Sequence, residues 1–424
     1  MQAPASPLAA GHASHKAAPP GRGRRNGELR RKVTITWQVS SYFGWGVYGL
    51  NLALNWARDP QVQLVCAQEV TAADVAVDPL AWTVLRPFVR ASAELARSFQ
   101  GHDGETAAST GPVLVHLNDG FLTPASAQGV TLTGRPDIGV TFLETARLNP
   151  LAAARARRLP LIVTGSRWNE AVLRANGVEN VRTILQGVDP TLFHPAPRRG
   201  ILGDRFLVFS GGKLERRKGQ DLVLAAFRIF AERHPEALLV TAWHCPWPEL
   251  AASLDVSGLA APIPFRPDGY VDVPAWAEAS GVAADQVLDL GDIPNAHMAV
   301  LLREMDVALF PNRCEGGTNL VAMEAMACGV PAILSRNSGH LDLIEDDNSY
   351  PLSRQGELTG PEAGFAGVAG WGESDVDEIV AALEAVHADR QAARRRGLAG
   401  AATLARMPWA RTARELKDAV LAVC

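Results

Sequence analysis

The sequence has little of what marks a secreted, membrane-spanning or nucleic-acid-binding protein. Its five cysteines form no CxxC pair, so we expect a reduced intracellular protein with neither a disulfide framework nor a zinc site, and we assign no residue to a metal. No apolar run reaches the roughly 18 residues that a membrane-spanning helix needs, so any membrane contact is expected to be peripheral. The formal net charge of −4 gives no electrostatic basis for nucleic acid as the main partner.

The first 30 residues are rich in Ala, Pro, Gly, His and Arg. They lack the continuous apolar region of a signal peptide, so we expect a cytoplasmic protein rather than a secreted one. A segment of this composition cannot bury enough apolar surface to order itself. We therefore predict a disordered tail at 1–30.

The rest of the chain has an ordinary globular composition, and its 424 residues suit two domains better than one. Short β-branched runs alternate with amphipathic stretches in two successive series, which is typical of parallel strands covered on both faces. The first series predicts strands at 33–39, 62–66, 112–117, 138–142, 160–164 and 181–185. The second series predicts strands at 205–210, 237–242, 286–290, 306–310 and 331–335.

Two such series predict an α/β protein with two doubly wound, Rossmann-like domains that face a central cleft. The Pro-rich stretch at 191–204 interrupts the alternation and is the expected linker. The domains are accordingly placed at 31–190 and 205–400. Because ligands of such folds collect at the carboxyl ends of the strands, we expect the functional site between the domains.

A cluster of cations follows the first strand of the second domain, in the stretch FSGGKLERRKGQ. Lys213, Arg217 and Lys218 lie between Gly212 and the start of an amphipathic helix. Backbone N–H groups and the helix dipole add to the fixed side-chain charges, which favours binding of a diphosphate. The alternative is a solvated basic loop, and the cluster alone does not decide between the two.

Glu324 is the only charged residue between Gly316 and Ser335. It lies within a small apolar helix predicted at about 319–328. A carboxylate buried there without partners costs several kcal/mol. A pair of ribose hydroxyls would satisfy it with charge-assisted hydrogen bonds. The alternative is a structural ion pair with a distant arginine.

A glycine turn precedes this helix and begins with a second carboxylate, Glu315. Gly316, Gly317, Thr318 and Asn319 follow it at the helix N-terminus. Such a turn is suited to wrapping a phosphate or a sugar with backbone amides.

The two stretches together resemble the retaining GT-B transferases, specifically glycosyltransferase family 4. The family's G-R-L-x-x-x-K-G reads GKLERRKG at 212–219. Its E-G-x-G-x-x-x-x-E-A-M-A-x-G-x-P reads EGGTNLVAMEAMACGVP at 315–331, and its N-G-V-D reads QGVD at 186–189. The resemblance covers nearly all of 31–424 and is strongest in the second half.

The resemblance implies a GT-B fold whose last helix, within 401–424, crosses back to the N-terminal domain. It also implies a retaining, metal-independent transfer of sugar from a UDP- or GDP-type donor to a hydroxyl of a glycan, lipid or small molecule, with no cofactor. We assign catalytic roles to Lys213, Lys218 and Glu315. The residues assigned to donor binding are Gly46, Gly212, Arg217, Gly316, Gly317, Thr318, Asn319 and Glu324.

The chain departs from the family pattern at three places. Lys213 stands where the family usually has Arg, which keeps the charge but loses the bidentate fork. Eight residues rather than seven separate Glu315 from Glu324. Glu144 stands where many members place a histidine after a strand. Glu144 and His116 are the candidates on the acceptor side.

A literal G-x-G-x-x-G at 44–49 follows the first predicted strand, and Glu69 lies at the end of the second. This pattern favours an alternative function, an NAD-dependent oxidoreductase. Trp45, however, would stand where a pyrophosphate must approach. The resemblance instead implies a first loop that faces the cleft and touches the donor near Gly46.

Two further alternatives share the expected fold, namely a non-catalytic nucleotide-sugar-binding protein and a sugar-nucleotide epimerase. Weaker candidates in the second domain are Trp243, His244 and Trp247, which would flank a nucleotide base or form a packed loop. The basic run Arg394-Arg395-Arg396 is interpreted as a solvated helix face or a contact with anionic lipid.

Overall fold

The computed structural model describes residues 30–244, 246–358 and 367–424. The predicted disordered tail lies outside this part of the chain, apart from Arg30. Within it, two α/β domains are each built on a six-stranded parallel sheet.

The N-terminal domain alternates strands and helices as its apolar runs predict. Its strands are β1 (Arg31–Ile35), β2 (Val62–Cys66), β3 (Thr106–Ala108), β4 (Val113–His116), β5 (Thr131–Thr133), β6 (Asp137–Thr141), β7 (Ile162–Thr164) and β8 (Val181–Thr183). Its helices are α1 (Gly44–Trp56), α2 (Pro79–Ser98), α3 (Pro150–Ala156) and α4 (Arg167–Ala175). The main sheet has the order β2-β1-β4-β6-β7-β8, and β3 pairs with β5 apart from it.

The C-terminal domain repeats this plan and adds helices at its end. Its strands are β9 (Phe206–Gly211), β10 (Ala237–Ala242), β11 (Val287–Asp289), β12 (Val307–Phe310), β13 (Ala332–Ser335), β14 (Tyr350–Leu352), β15 (Gln355–Glu357) and β16 (Gly372–Ser374). Its helices are α5 (Gln220–Arg233), α6 (Val273–Ala279), α7 (Asn295–Leu302), α8 (Leu320–Ala327), α9 (Val376–Ala388), α10 (Arg390–Leu404) and α11 (Trp409–Ala422). The main sheet has the order β11-β10-β9-β12-β13-β14, and β15 pairs antiparallel with β16.

Local sequence explains where the elements begin and end. At the start of α4 the Ser166 hydroxyl accepts a hydrogen bond from the backbone N–H of Asn169 at 3.1 Å, which is a typical N-cap. Just beyond its end, Gly177 has a left-handed φ of +74°, as expected of a glycine that stops a helix. In β9 all six residues are buried, because the strand lies inside the sheet and is covered on both faces.

The helix α11 leaves the C-terminal domain and packs against α1 of the N-terminal domain. The crossing occurs at Pro408, which forms a bridge with Val188. The backbone carbonyl of Ala413 accepts a hydrogen bond from the Trp56 indole N–H at 3.0 Å. The chain therefore ties the two domains together at its end as well as at the linker.

The two domains also touch beside the carboxyl ends of their strands. The Ser166 hydroxyl donates a hydrogen bond to the carbonyl of Gly316 at 2.7 Å. On another side, the backbone N–H of Asn295 donates to the carbonyl of Ser41 at 2.8 Å. These contacts hold the domains close around a cleft. In the described part of the chain, no helix has the length and apolar character that crossing a bilayer requires.

Candidate functional site

The cleft lies between the domains, where β9 and β10 end and the loop after β12 begins. It has a cavity volume of about 260 Å³, just below the roughly 300–1,000 Å³ of small-molecule sites. Both domains line it, the first through the loop before α1 and the second through the cation loop and α8. The cleft gathers most of the residues that the sequence singles out.

The cation loop is held in place by two glycines in left-handed conformations. Gly212, with φ of +116°, follows β9, and Gly219, with φ of +73°, precedes α5. A Cβ on Gly219 would lie 2.5 Å from the carbonyl oxygen of Pro311, so a larger residue would push the loop away from β12. Between the glycines, Arg216–Lys218 form one turn of 3-10 helix. This turn directs Lys218 into the cleft.

Glu315 lies between two of these cations. Its carboxylate contacts Lys218 Nζ at 2.5 Å and Arg217 Nη1 at 3.1 Å. Burial alone would raise the pKa of Glu315, but the two positive charges lower it to about 2. For Lys218 the signs are reversed: burial lowers its pKa, and the negative charge of Glu315 raises it. The carboxylate of Glu315 is therefore ionised at neutral pH.

Two further carboxylates neutralise the same cluster. Glu215 binds Arg217 and also contacts Lys213 Nζ at 2.9 Å. Glu144 reaches Arg217 from the N-terminal domain, with 2.8 Å between its Oε1 and the guanidinium Nη2. Burial raises the pKa of Glu144, and the charge of Arg217 opposes that rise. Three cations thus face three carboxylates, with Glu144 supplying a charge contact across the domain boundary.

Glu324 lines the same cleft from α8. Seven of the eight residues of this helix are buried, so its carboxyl group has an apolar environment. The side-chain amide of Asn295 donates a hydrogen bond to it. Burial raises the pKa of Glu324 to about 8, although this hydrogen bond lowers it somewhat. The donor is the side chain of Asn295, the first residue of α7. The structure therefore does not support the alternative that Glu324 forms an ion pair with a distant arginine.

The turn between Glu315 and α8 is packed against the N-terminal domain. A Cβ on Gly316 would lie 2.4 Å from the backbone carbonyl group of Phe142. The amide of Thr318 donates to the side-chain oxygen of Gln186 at 3.5 Å. Gly316 and Gly317 line the cleft, but Thr318 is fully buried and does not. The Thr318 amide thus faces Gln186 in this structure, and its contact with the donor stays a prediction.

Asn319 caps α8 and lines the cleft. It has a left-handed φ of +61°, and its side-chain amide donates to His340 Nε2 at 3.0 Å. Burial lowers the pKa of His340 to about 4, so this imidazole is neutral and accepts the bond. His340 therefore fixes the orientation of Asn319.

The first loop brings Trp45 rather than Gly46 to the cleft wall. A Cβ on Gly46 would lie 2.5 Å from the Cβ of Ser40, so this glycine allows α1 to pack closely on the preceding loop. The Trp45 ring contacts the Phe142 ring with 4.4 Å between centroids. Gly46 is thus a packing residue here. The site where a dinucleotide pyrophosphate would bind is filled by aromatic rings, which disfavours the oxidoreductase alternative.

The acceptor-side candidates have different positions. Glu144 lines the cleft, whereas His116 lies behind Trp45, 5.7 Å away between ring centroids. His116 Nδ1 is 3.0 Å from the Thr36 hydroxyl, and burial lowers the pKa of His116 to about 4. This is a neutral histidine packed behind the cleft wall, and its role on the acceptor side stays a prediction.

Of the aromatic candidates in the second domain, two line the cleft and one is buried in the core. His244 and Trp247 line the cleft, and His244 Nε2 lies 2.6 Å from Asp289 Oδ2. Trp243 is fully buried and donates to the Ser210 hydroxyl at 3.1 Å. His244 and Trp247 therefore remain candidates for the base end of a nucleotide, while Trp243 belongs to the core.

Sequence reasoning missed Glu215, Asn295 and His340 as parts of the site. Glu215 lies inside the cation motif, where its opposite charge was a visible signal. Asn295 and His340 lie outside any motif, and only the fold brings them to Glu324 and Asn319. Of the basic run, Arg396 packs over the Tyr350 ring, with its guanidinium carbon 4.5 Å from the ring centroid and away from the cleft.

Comparisons with known proteins find matches over parts of this chain. A family model described as Family 4 Glycosyltransferase in conflict systems matches residues 292–416, a range that includes both glutamates. The GDP-mannose-dependent alpha-(1-6)-phosphatidylinositol dimannoside mannosyltransferase of Mycobacterium tuberculosis is 29% identical over 173 residues, which cover 41% of this chain and 40% of that protein. The D-inositol 3-phosphate glycosyltransferase of Geodermatophilus obscurus is 28% identical over 265 residues, which cover 55% and 54% respectively. The chain thus spans about half or less of the length of these curated relatives.

Solved structures match over nearly the whole chain. Sucrose-phosphate synthase from Thermosynechococcus elongatus superposes with a TM-score of 0.59 at 18% identity, covering 92% of this chain and 98% of that one. The Anabaena protein HepE, in complex with UDP and glucose, superposes with a TM-score of 0.60 at 13% identity, covering 93% and 100%. The fold is GT-B, with two Rossmann-like domains around one cleft. The family match and the curated relatives resemble this chain over part of its length, and each of them is a glycosyltransferase.

Proposed function

We propose that this chain transfers a sugar from a nucleoside diphosphate donor to an acceptor hydroxyl, with retention of anomeric configuration and without a catalytic metal ion. The observation that carries the proposal is that Lys218, Arg217 and Glu324 all line one cleft. Cations suit a diphosphate, and a carboxylate among apolar neighbours suits a pair of ribose hydroxyls. The likeness to group 1 glycosyltransferases supports the same conclusion.

The donor diphosphate binds to lysine and arginine side chains that form ion pairs with carboxylates in the absence of donor. Lys213, Arg217 and Lys218 form ion pairs with glutamates of the cleft, so phosphate oxygens exchange one anionic partner for another. When Lys218 turns to the phosphate, the Glu315 carboxylate is released to accept hydrogen bonds from sugar hydroxyls. The amides of Gly316 and Gly317 are close enough to contribute to the same region.

The ribose binds at Glu324. The pKa of about 8 keeps this carboxyl group mostly protonated at neutral pH when only Asn295 contacts it. Two ribose hydroxyls that donate to the carboxylate favour its charged form. Nucleotide binding therefore lowers the pKa of Glu324 and releases a proton to solvent.

In the transfer step, the bond between the anomeric carbon and the β-phosphate oxygen breaks, and a bond to the acceptor oxygen forms on the same face. The acceptor hydroxyl gives its proton to the departing phosphate oxygen. Negative charge grows on the diphosphate as the bond breaks, so Lys218 and Arg217 stabilise the transition state more than the bound donor. These fixed cations supply the charge that a divalent metal would otherwise provide.

The experiment uses the purified chain with UDP-glucose, GDP-mannose and ADP-glucose as donors. The first two are the donor chemistries that the names of the relatives and the solved neighbour suggest. Thermal shift identifies the donor that binds, since a bound ligand raises apparent stability. Release of the nucleoside diphosphate is then measured with inositol phosphate and phosphatidylinositol-glycan acceptors, and the anomeric configuration of the product is read by NMR.

The Lys218→Met variant should lose about 10²–10³ in kcat, because one donor to the leaving group is removed. Lys417→Met is the matched control, since Lys417 forms a half-buried ion pair with Asp59 at 2.7 Å, far along the chain from the cleft. Wild-type turnover in Lys218→Met would refute the proposal. Donor binding with no turnover on any acceptor would favour the non-catalytic binding protein, and stabilisation by NADH alone would favour the oxidoreductase.

A further inference from the structure

A cluster of metal-ligating side chains lies at the end of the C-terminal domain opposite the cleft. His234 follows the last residue of α5, Glu236 precedes β10, and His387 lies in the last turn of α9. One ligand atom from each residue lies within 4.8 Å of the others. The cluster gathers around the amino ends of the strands, whereas the cleft lies at their carboxyl ends. The proposed transfer reaction does not use it.

The distances within this cluster suit a tetrahedral metal ion. Glu236 Oε1 lies 2.9 Å from His387 Nε2 and 3.8 Å from His234 Nδ1. Zinc binds imidazole nitrogen and carboxylate oxygen at about 2.0–2.2 Å, which places neighbouring ligands of a tetrahedron roughly 3.3 Å apart. The two observed separations bracket this value. The remaining separation is bounded by the 4.8 Å within which one ligand atom of each residue lies from the others, so side-chain rotation can direct all three residues toward one ion.

A neighbouring carboxylate orients one of the imidazoles for this role. Glu384 Oε2 lies 2.8 Å from His234 Nε2, so the Nε2 proton is held by Glu384 and the Nδ1 lone pair faces Glu236. A carboxylate behind a histidine ligand is the arrangement that fixes tautomer and orientation in metal sites. Glu384 is itself held by Arg233 at 3.1 Å.

The packing around the imidazoles limits their motion. The His387 ring packs edge-on against Phe206 at 4.9 Å between centroids, and the His234 ring packs on Phe230 at 4.4 Å. Both histidines are largely buried, with side-chain exposures of 17% for His234 and 23% for His387. The ligands are thus partly preorganised, and one side stays open to solvent for the metal to enter.

We propose that His234, Glu236 and His387 bind a divalent transition-metal ion of the zinc type, with Glu384 as the positioning carboxylate. Two imidazoles and one carboxylate favour zinc over magnesium or calcium, which prefer oxygen ligands. Three protein ligands leave the fourth tetrahedral position to water. The ion links the end of α5 and the start of β10 to α9, so it stabilises the donor-side domain. The cysteine pattern gave no sign of this site, because its ligands are histidine and glutamate side chains and His387 lies far along the chain from His234 and Glu236.

The test is a zinc titration of the full chain after treatment with a chelator. A site filled at 100-fold excess over Kd should raise Tm by roughly 5 °C. The His387→Asn and His234→Asn variants should each lose this shift and bind zinc at least about 10-fold more weakly. His102→Asn is the matched control, because His102 also contacts a glutamate, Glu105 at 3.0 Å, but on the exposed surface; it should keep the full shift.

A second measurement avoids variants that fold poorly. Cobalt added to the wild-type chain should give the visible absorption of a tetrahedral site, and zinc should abolish it. The imidazole nitrogen NMR signals of two histidines should shift on zinc addition. No zinc-dependent shift in Tm and no tetrahedral cobalt spectrum would overturn the proposal. Equal zinc binding in wild type and both histidine variants would also overturn it, since the ion would then bind elsewhere.

Discussion

At the scale of single residues, two glutamates of one cleft have opposite acid–base behaviour. Glu315 and Glu324 are both buried, yet the pKa of Glu315 falls to about 2 and that of Glu324 rises to about 8. The difference comes from their partners, since Lys218 and Arg217 contact the first and a neutral amide contacts the second. Such a divergence is expected where carboxylates have different roles in one site.

The raised pKa of Glu324 makes a prediction about stability. In the unfolded chain this carboxyl group ionises near its ordinary value of 4.5, whereas in the folded protein it holds its proton up to about pH 8. The folded state therefore binds more protons between these values, and the unfolding free energy falls as pH rises, by at most about 1.4 kcal/mol per pH unit. The Glu324→Gln variant has no carboxyl group at this position, so its unfolding free energy should not show this fall with pH.

The measurement is scanning calorimetry of Glu324→Gln and wild type at pH 5 and pH 8. The Tm of the variant minus the Tm of wild type should be larger at pH 8 than at pH 5 by roughly 5 °C. A difference that is independent of pH would mean that Glu324 ionises normally in the fold. The same variant should bind donor poorly, so that stability and function change in opposite directions.

The chemistry of individual residues was readable from the sequence, but their pairing was not. The isolation of Glu324 among apolar residues was visible, as was the cation cluster. The partners of Arg217 were not, because Glu144 belongs to a different domain and contacts it only through closure of the cleft. His116 and Thr318 were assigned to the site because they follow strands or lie in a motif, whereas tertiary packing directs them to Thr36 and Gln186.

At the scale of elements, the glycine turn before α8 also belongs to the domain interface. Its carbonyls and amides contact Ser166 and Gln186 of the N-terminal domain. Gly339 presses on it from the other side, and its backbone N–H donates to the Glu315 carbonyl at 2.9 Å. A change in the distance between the domains should therefore move this turn and, with it, the Glu315 carboxylate.

Gly316→Ala tests this coupling. The added Cβ would lie 2.4 Å from the Phe142 backbone, so the domains must separate or the turn must move. Donor turnover, measured as kcat/KM, should fall about 10²-fold, which is typical of a misplacement of about 1 Å at a reacting centre. Small-angle scattering should show a larger radius of gyration than for wild type.

Gly356→Ala is the control for this substitution. A Cβ on Gly356 has its nearest contact at 3.6 Å, the carbonyl oxygen of Glu373, and the residue lies in β15 outside the cleft wall. This variant should keep wild-type turnover and scattering. If Gly316→Ala behaves in the same way, the turn does not couple the domains.

Most strands were predictable because buried parallel strands are continuous apolar runs. The prediction at 62–66 coincides with β2, and that at 237–242 with β10. The first predicted strand, 33–39, was too long, because its residues after Ile35 leave the sheet for the loop that leads to α1. The strand β14 was missed, since Pro351 within it weakens the pattern and such a residue is tolerated only at an edge.

At the scale of the whole molecule, the fold positions chemistry from two sheets around one cleft. The carboxyl ends of both sheets supply groups to it, and α11 returns to fasten the domains together. The returning helix predicted within 401–424 corresponds to α11, which begins at Trp409 after α10 ends at Leu404. The two-domain plan was readable from the alternation of strands and helices. Domain closure was not, since it depends on contacts between residues far apart in the sequence.

The central claim is that the cations before α5 and the carboxylate of α8 bind one nucleotide. The direct test is calorimetric titration of the preferred nucleoside diphosphate, and of its analogue lacking both ribose hydroxyls, into wild type and Glu324→Gln. Glu304→Gln is the control, a buried carboxylate of the same domain that binds the backbone of Gly200 outside the cleft. Hydrogen bonds to charged groups contribute about 1.5–3 kcal/mol.

We predict that Glu324→Gln weakens diphosphate binding about 10- to 100-fold but binds the analogue as well as wild type does. Lys218→Met should weaken both ligands alike, because both keep the diphosphate. The account is contradicted if Glu324→Gln and wild type bind the diphosphate equally, or if the variant weakens the analogue as much as the natural nucleotide.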